Sequence, residues 1–248
     1  MTASGRKKIK NHTSKSEGTK KNVLWIVIEI FSVIIIMGGV YLSGLITGRA
    51  EIGLLSIAAG WCFIWILLRI QKKDWGGFGF AKPDHWGKTI LAVMIWLIFF
   101  QIVIGWILKP WVIKLTGRPL DISEFEILRG NFSALLRGLV IVWTIAAFGE
   151  EMVFRGYFLN RIEDVFRSKK IGLIFAILVS SLFFGFGHIY QGISGLILAS
   201  MAGIIYSLAF IFSGRNLWVP ILVHGFYDTW AFLALFFGLD NKINPFMV

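Results

Sequence analysis

Leu139-Val140-Ile141-Val142-Trp143-Thr144-Ile145-Ala146-Ala147-Phe148 runs without a charge into Gly149-Glu150-Glu151-Met152-Val153-Phe154-Arg155. Two adjacent carboxylates and an arginine thus sit inside an otherwise apolar helix. Ionisable groups at membrane depth are costly, so they mark a functional site unless something else explains them. On an α-helix Glu151 and Arg155 are four apart, acid N-terminal to base, and form an internal ion pair. Glu150 then lies about 100° around the helix from Glu151. The arginine neutralises and orients one carboxylate and leaves the other for chemistry. The competing reading is a helix end at the interface, its charges solvated.

The chain has 248 residues, 56% of them hydrophobic and 16% charged, with a mean hydropathy of +0.74. A soluble domain of this size does not carry that balance. The net charge of +11 is concentrated: Arg6, Lys7, Lys8, Lys10, Lys15, Lys20 and Lys21 precede the first apolar run. No basic stretch is interleaved with aromatics in a soluble module, so nucleic acid is excluded as a partner and anionic lipid headgroups are the better explanation. The first apolar run is too long for a signal-peptide core and lacks a small-residue cleavage site, so it is retained. One cysteine, Cys62, excludes an intrachain disulfide and reads as a small core residue beside Trp61.

Stretches of about 20 apolar residues cross a bilayer. They run over Val23–Thr47, Ile52–Leu68, Thr89–Leu108, Ala134–Leu159, Ile171–Ile189, Ile193–Ser213 and Leu217–Phe237. The fold expected is an all-α polytopic membrane helix bundle of seven crossing helices, eight at the upper count. With the tail inside, 18 basic residues face the cytoplasm and six the opposite side, which orients the chain with a cytoplasmic N-terminus in the cell membrane. The divisions are a basic, disordered tail (1–22), N-terminal membrane helices and their loops (23–133), a core carrying the chemistry (134–238) and a short C-terminal tail (239–248).

Smaller features have modest readings. Gly44 with Gly48 and Ala199 with Gly203 are small-xxx-small pairs for close helix packing. Glu29 lies six residues into the first span and is placed to snorkel, with a functional role as the lesser reading. Ser123 and Glu126 have capping-box spacing and predict a short amphipathic helix. Trp75-Gly76-Gly77-Phe78-Gly79-Phe80 reads as an aromatic interfacial loop, since a phosphate cradle needs a strand before it and Lys-Ser/Thr after it. Gly185, Gly187, Gly192 and Gly195 cluster around His188 and predict that its helix stops there, as the roof of a cavity.

Among four histidines, His188 and His224 fall within spans. His224 precedes Asp228 by four and shares a helix face with it; Phe184 precedes His188 by four. With Glu150 and Glu151, these residues form a candidate constellation. A turn near Ser168 puts Glu150 18 residues before it and His188 20 after, which brings them level on antiparallel neighbours. His224 joins them if the Arg161 to Lys170 hairpin overhangs the membrane.

Glu150-Glu151-x-x-x-Arg155, Phe184-x-x-x-His188 and His224-x-x-x-Asp228 resemble the three ordered motifs of the type II CAAX-prenyl endopeptidase family, the CPBP or Abi group of intramembrane proteases. The resemblance covers Ala134 to Ala234. It implies that Glu150 and His188 activate water for peptide hydrolysis, that His224 and Asp228 support the oxyanion or the water, and that Glu151, Arg155 and Phe184 support the site. Asp228 stands where many members have asparagine, and a carboxylate donates to an oxyanion only when protonated.

The chemistry is coherent with that resemblance. A carboxylate in an apolar site suits a general base working near neutrality, and imidazoles supply donors where charge develops on the carbonyl oxygen. A rival uses Glu150, His188 and His224 as three ligands of a catalytic zinc with an open position. Other classes are a non-catalytic scaffold or bacteriocin-immunity-type binding protein, and a proton-coupled transporter. A scaffold has no need to bury these groups, and a transporter usually repeats its broken helices in both halves. The expected partners are membrane lipids and a membrane-associated or prenylated protein or peptide substrate.

Overall fold

The computed structural model describes residues 3–48 and 50–239, without the side chains of residues 3–22, 45 and 50–52. The described chain forms seven long helices and no strand. They are α1 (Ala3–Thr47), α2 (Ala50–Ile70), α3 (Trp86–Thr116), α4 (Phe132–Val165), α5 (Lys169–Phe186), α6 (Gly192–Phe212) and α7 (Trp218–Phe236). Each has a segment long and apolar enough to cross a membrane; in α1 it is Val23–Gly44 and in α2 Gly53–Ile70. α1 runs through residues 3–22, where the sequence reading expects a disordered tail; the charge expectations for residues 1–22 rest on side chains outside the described residues, and the C-terminal tail after Leu239 lies outside them too.

Burial identifies the central element. Every residue from Glu151 to Leu159 on α4 is buried, and a helix apolar all round is one enclosed on all sides. α4 packs against α1, α2, α5, α6 and α7. The outer helices keep apolar faces open, as a lipid environment requires: Leu91, Ile95 and Ile98 on α3 and Ile174 and Leu178 on α5 are exposed. Cys62 belongs to this set. It is exposed on α2, which corrects the expectation of a core residue.

The turn between α4 and α5 falls at Phe166–Ser168, and the Ser168 side chain accepts from Ile171 N–H at 3.4 Å as an N-cap. The hairpin's charges do not simply overhang into water: Arg161 and Glu163 are buried. α5 ends at Phe186, followed by a turn and a short 3-10 segment, Ile189–Gln191, before α6 starts at Gly192. The helix therefore stops at His188, as the glycine cluster predicts. The outer connection is stapled to this break. Asp121 N–H donates to the Gln191 carbonyl at 3.1 Å, and Ser194 Oγ to the Arg118 carbonyl at 2.6 Å.

Several local expectations change. Gly48 has φ +64 and would leave an added Cβ in open space, so it ends α1 and packs against nothing among the described residues. Gly203 does pack closely, its added Cβ meeting Ser181 Cα at 2.9 Å across the α5–α6 contact. Ser123–Leu128 is a 3-10 helix without a capping box, because Ser123 N–H donates to Asp121 and Glu126 pairs with Arg129. The glycine-aromatic loop after α2 folds inward. Phe78 is buried and stacks on Tyr157 at 6.0 Å, while Phe80 meets Phe148 at 5.4 Å and Trp218 at 5.2 Å. The glycines allow it: at Gly79, φ +97, a Cβ would lie 2.5 Å from the Arg215 carbonyl.

Candidate active site

α4 is not a regular α-helix where its charges lie. Val142–Glu150 and Met152–Leu159 are both π-helical and meet at Glu151. This widened turn, with hydrogen bonds from i to i+5, is rare in helices and recurs at functional sites. It corrects the regular 100° spacing expected between the two glutamates.

Glu151 and Arg155 are completely buried, and Arg155 Nη1 donates to Glu151 Oε1 at 2.9 Å. The i,i+4 ion pair is therefore present despite the widened backbone. Arg155 Nη2 donates to the Gly203 carbonyl on α6 at 3.1 Å. Its guanidinium lies over the rings of Phe184 at 4.4 Å and Tyr206 at 5.1 Å. Aromatic faces and a carbonyl thus join Glu151 around the cation, although its buried Nε has no hydrogen-bond partner.

The same carboxylate oxygen serves a second partner. His224 Nδ1 lies 3.0 Å from Glu151 Oε1, and His224 Nε2 lies 3.3 Å from Asp228 Oδ2. Carboxylates only accept, so each contact has a donor when both ring nitrogens carry protons. Tyr206 stacks on the His224 ring at 4.8 Å with an interplanar angle of 17°. Glu151, and not Glu150, is therefore the glutamate that touches His224.

Glu150 occupies a different position. Its Oε2 is buried and has no hydrogen-bond partner, although Glu151, Arg155, His224 and Asp228 are all within its electrostatic reach. Glu151 Oε2 also lacks a partner, but that residue's charge is matched through Oε1. His188 enters through Phe184, whose ring lies 4.7 Å from its imidazole and 6.0 Å from that of His224. His188 Nδ1 is 2.9 Å from the Phe184 carbonyl, which only accepts. Nδ1 therefore donates, and in the neutral ring Nε2 is the free acceptor. Among the described residues no direct hydrogen bond joins Glu150 to His188.

Both nitrogens of His224 face carboxylates, and among the described residues no group of three or more His, Cys, Asp or Glu side chains, the set of Glu150, His188 and His224 included, is placed to hold a metal ion. Two participants escaped the sequence reading. Tyr206 and the Gly203 carbonyl both line the charged centre. The available signal was a tyrosine in mid-span, since tyrosine favours the membrane interface when it only packs.

Fold and site together define a multi-pass helical membrane protein with an enclosed acid–histidine centre. Residues 132–230 match the family described as type II CAAX prenyl endopeptidase Rce1-like. Over that stretch the chain is similar to this family, in agreement with its resemblance to the CPBP or Abi group. The match spans α4 to α7 and includes Glu150, His188, His224 and Asp228. No curated protein and no solved structure matches the chain.

Proposed function

We propose that the chain is an intramembrane endopeptidase in which Glu150 takes a proton from the water that attacks a peptide carbonyl. The observation that carries this reading is the buried Glu150 Oε2 without a hydrogen-bond partner, beside a Glu151–His224–Asp228 chain that is already paired. A buried polar atom left unpaired calls for a functional explanation, and here the explanation is a proton acceptor. His188 Nε2, the free acceptor of a ring fixed by the Phe184 carbonyl, orients the same water. The water oxygen bonds to the carbonyl carbon while its proton moves to Glu150. The resulting oxyanion is stabilised by the positive field of the paired His224. Glu150 returns the proton to the leaving nitrogen, the C–N bond breaks, and a carboxylic acid, which keeps the water's second proton, and an amine remain.

Asp228 acts on the His224 ring in this mechanism, which removes the difficulty of a carboxylate facing an oxyanion. The substrate is a membrane-associated protein or peptide, prenylated in the manner of the family's namesakes or not. Replacing Glu150 by Gln keeps the side-chain shape and removes the base. Full-length protein in proteoliposomes should then lose about 100-fold to 10,000-fold in peptide cleavage while keeping its melting temperature. Normal cleavage by Glu150→Gln would sink the assignment. The metal-independent reading is checked separately: chelator-treated protein, verified metal-free by elemental analysis, is expected to cleave at the untreated rate.

A further inference from the structure

A second group of charges lies at the end of the bundle where α4 finishes, apart from the Glu150 centre. There a cavity of about 750 Å³ opens between the loop after α2, the last turn of α4, the start of α5 and the turn between α6 and α7. Lys72, Lys73, Arg161, Lys169 and Arg215 line it. Its acids are largely committed. Glu163 is bonded by Arg215, Asp164 lies 4.0 Å from Arg161 and 3.9 Å from Lys169, and Asp74 accepts from Gly77 N–H at 3.1 Å.

Two of the cations are less well satisfied, while Arg161 is paired with Glu29 at 3.0 Å and donates to Gln71 at 2.6 Å. Lys72 and Lys73 make no salt bridge among the described residues, and Arg161, with 4% of its side chain exposed, keeps a buried Nε without a partner. Desolvation, and after it the neighbouring Arg161 charge, hold the Lys73 ammonium below the ordinary lysine range, against the opposing pull of Glu29 and Asp164. Like charges held together in this way are relieved by an anion. The backbone points to the same place: the two non-glycine residues with positive φ among those described are Lys72 (+55) and Arg215 (+60), and both line the cavity. Such conformations persist where surrounding structure enforces them, and they cluster at ligand sites.

The level of the cavity identifies the source of the anion. The membrane-length segments of α2, α4 and α6 end at Ile70, Val165 and Phe212, and those of α5 and α7 start at Lys169 and Trp218. Trp86 and Trp218 accompany these ends, as tryptophans do at the headgroup layer. We propose that this cavity binds a phosphate group carried by the headgroup of an anionic membrane lipid, with Lys72 and Lys73 as its mobile charge contacts and Arg161 as its buried donor. The site is independent of the protease chemistry.

The test uses the full-length protein in detergent. Native mass spectrometry measures retention of added phosphatidylglycerol or phosphatidylcholine, and phosphorus NMR measures binding of inorganic phosphate. The variants are Lys72→Asn/Lys73→Gln, asparagine being chosen to tolerate the positive φ, and Lys73→Gln alone in case the double variant folds poorly. Lys82→Gln/Lys88→Gln removes two exposed charges outside the cavity as a control. Phosphatidylglycerol should bind about 30-fold more weakly to the double variant and about fivefold more weakly to the single one. The control should bind as wild type does, and phosphatidylcholine should bind weakly to all. Inorganic phosphate bound with the same variant pattern, without retained lipid, supports the phosphate site and makes its source soluble. Equal binding by wild type and both cavity variants, an equal loss in the control, or no binding of either probe to wild type overturns the proposal.

Discussion

Glu150 and Glu151 are neighbours in sequence with different contacts. Glu151 Oε1 receives both Arg155 and His224, while Glu150 Oε2 receives no hydrogen bond. Removing one partner of an enclosed ion pair strands the other charge and typically costs about 3 to 5 kcal/mol. Glu151→Gln and Arg155→Ala are therefore expected to lower the melting temperature or the folded yield before any kinetic effect is read, in contrast to Glu150→Gln. A folded, fully stable Glu151→Gln that is catalytically dead would exchange the two roles. Asp228→Asn tests the charge on the far side of His224. The amide still accepts through its oxygen, so ring orientation survives while a charge-assisted bond worth about 1.5 to 3 kcal/mol is weakened. The expectation is a fall of roughly tenfold to 100-fold in kcat with KM unchanged. An unaltered kcat would remove the His224 charge from the mechanism.

Helices α5 and α6 approach through glycines, and that approach sets where His188 sits. A Cβ on Gly185 would lie 1.9 Å from Ser200 Oγ and 2.6 Å from the Leu196 carbonyl. The hydroxyl can rotate away, but the carbonyl belongs to the helix backbone. Gly185→Ala must separate the two helices, at about 1 to 3 kcal/mol for overpacking. Since His188 N–H donates to the Gly185 carbonyl at 2.9 Å, the imidazole moves with the separation. Lower stability together with lower cleavage is expected. Adding Ser200→Ala should restore only part of either, because the Leu196 carbonyl remains. Full rescue would locate the whole clash at the serine.

Across the whole molecule, a second polar network ties the first two helices to the central one. Glu29 on α1 pairs with Arg161 on α4 at 3.0 Å, accepts from Gln71 Nε2 at 2.7 Å, and accepts from the Tyr157 hydroxyl at 3.3 Å. This gives Glu29 a buried partner in place of the snorkelling position that the sequence favours over a functional role. Glu29→Ala leaves Arg161 with Gln71 and the more distant Asp164, so the loss should fall below the about 3 to 5 kcal/mol of a fully enclosed pair. Glu29→Gln keeps an acceptor and should lose less. Melting temperatures of the two variants in the same detergent check the order, and equal values would make the network dispensable.

The seven crossing segments were legible because hydropathy over about 20 residues is a local property of the chain. The Glu151–Arg155 pair was legible for the same reason, since four residues along a helix fix a shared face. Buried ionisable groups announce themselves by their cost in lipid, so Glu150, His188, His224 and Asp228 stood out without a structure. Tertiary packing decided what touches what. His224 meets Glu151 across 73 positions and Tyr157 meets Glu29 across 128, separations at which no periodicity carries information. The widening of α4 to π-helix, the Gly203 carbonyl on Arg155 and the inward fold of the Trp75–Phe80 loop likewise arise where elements close on one another. Local composition determined where the charges lie along the chain; enclosure by α2, α5, α6 and α7 decided which carboxylate is neutralised and which is left to take a proton.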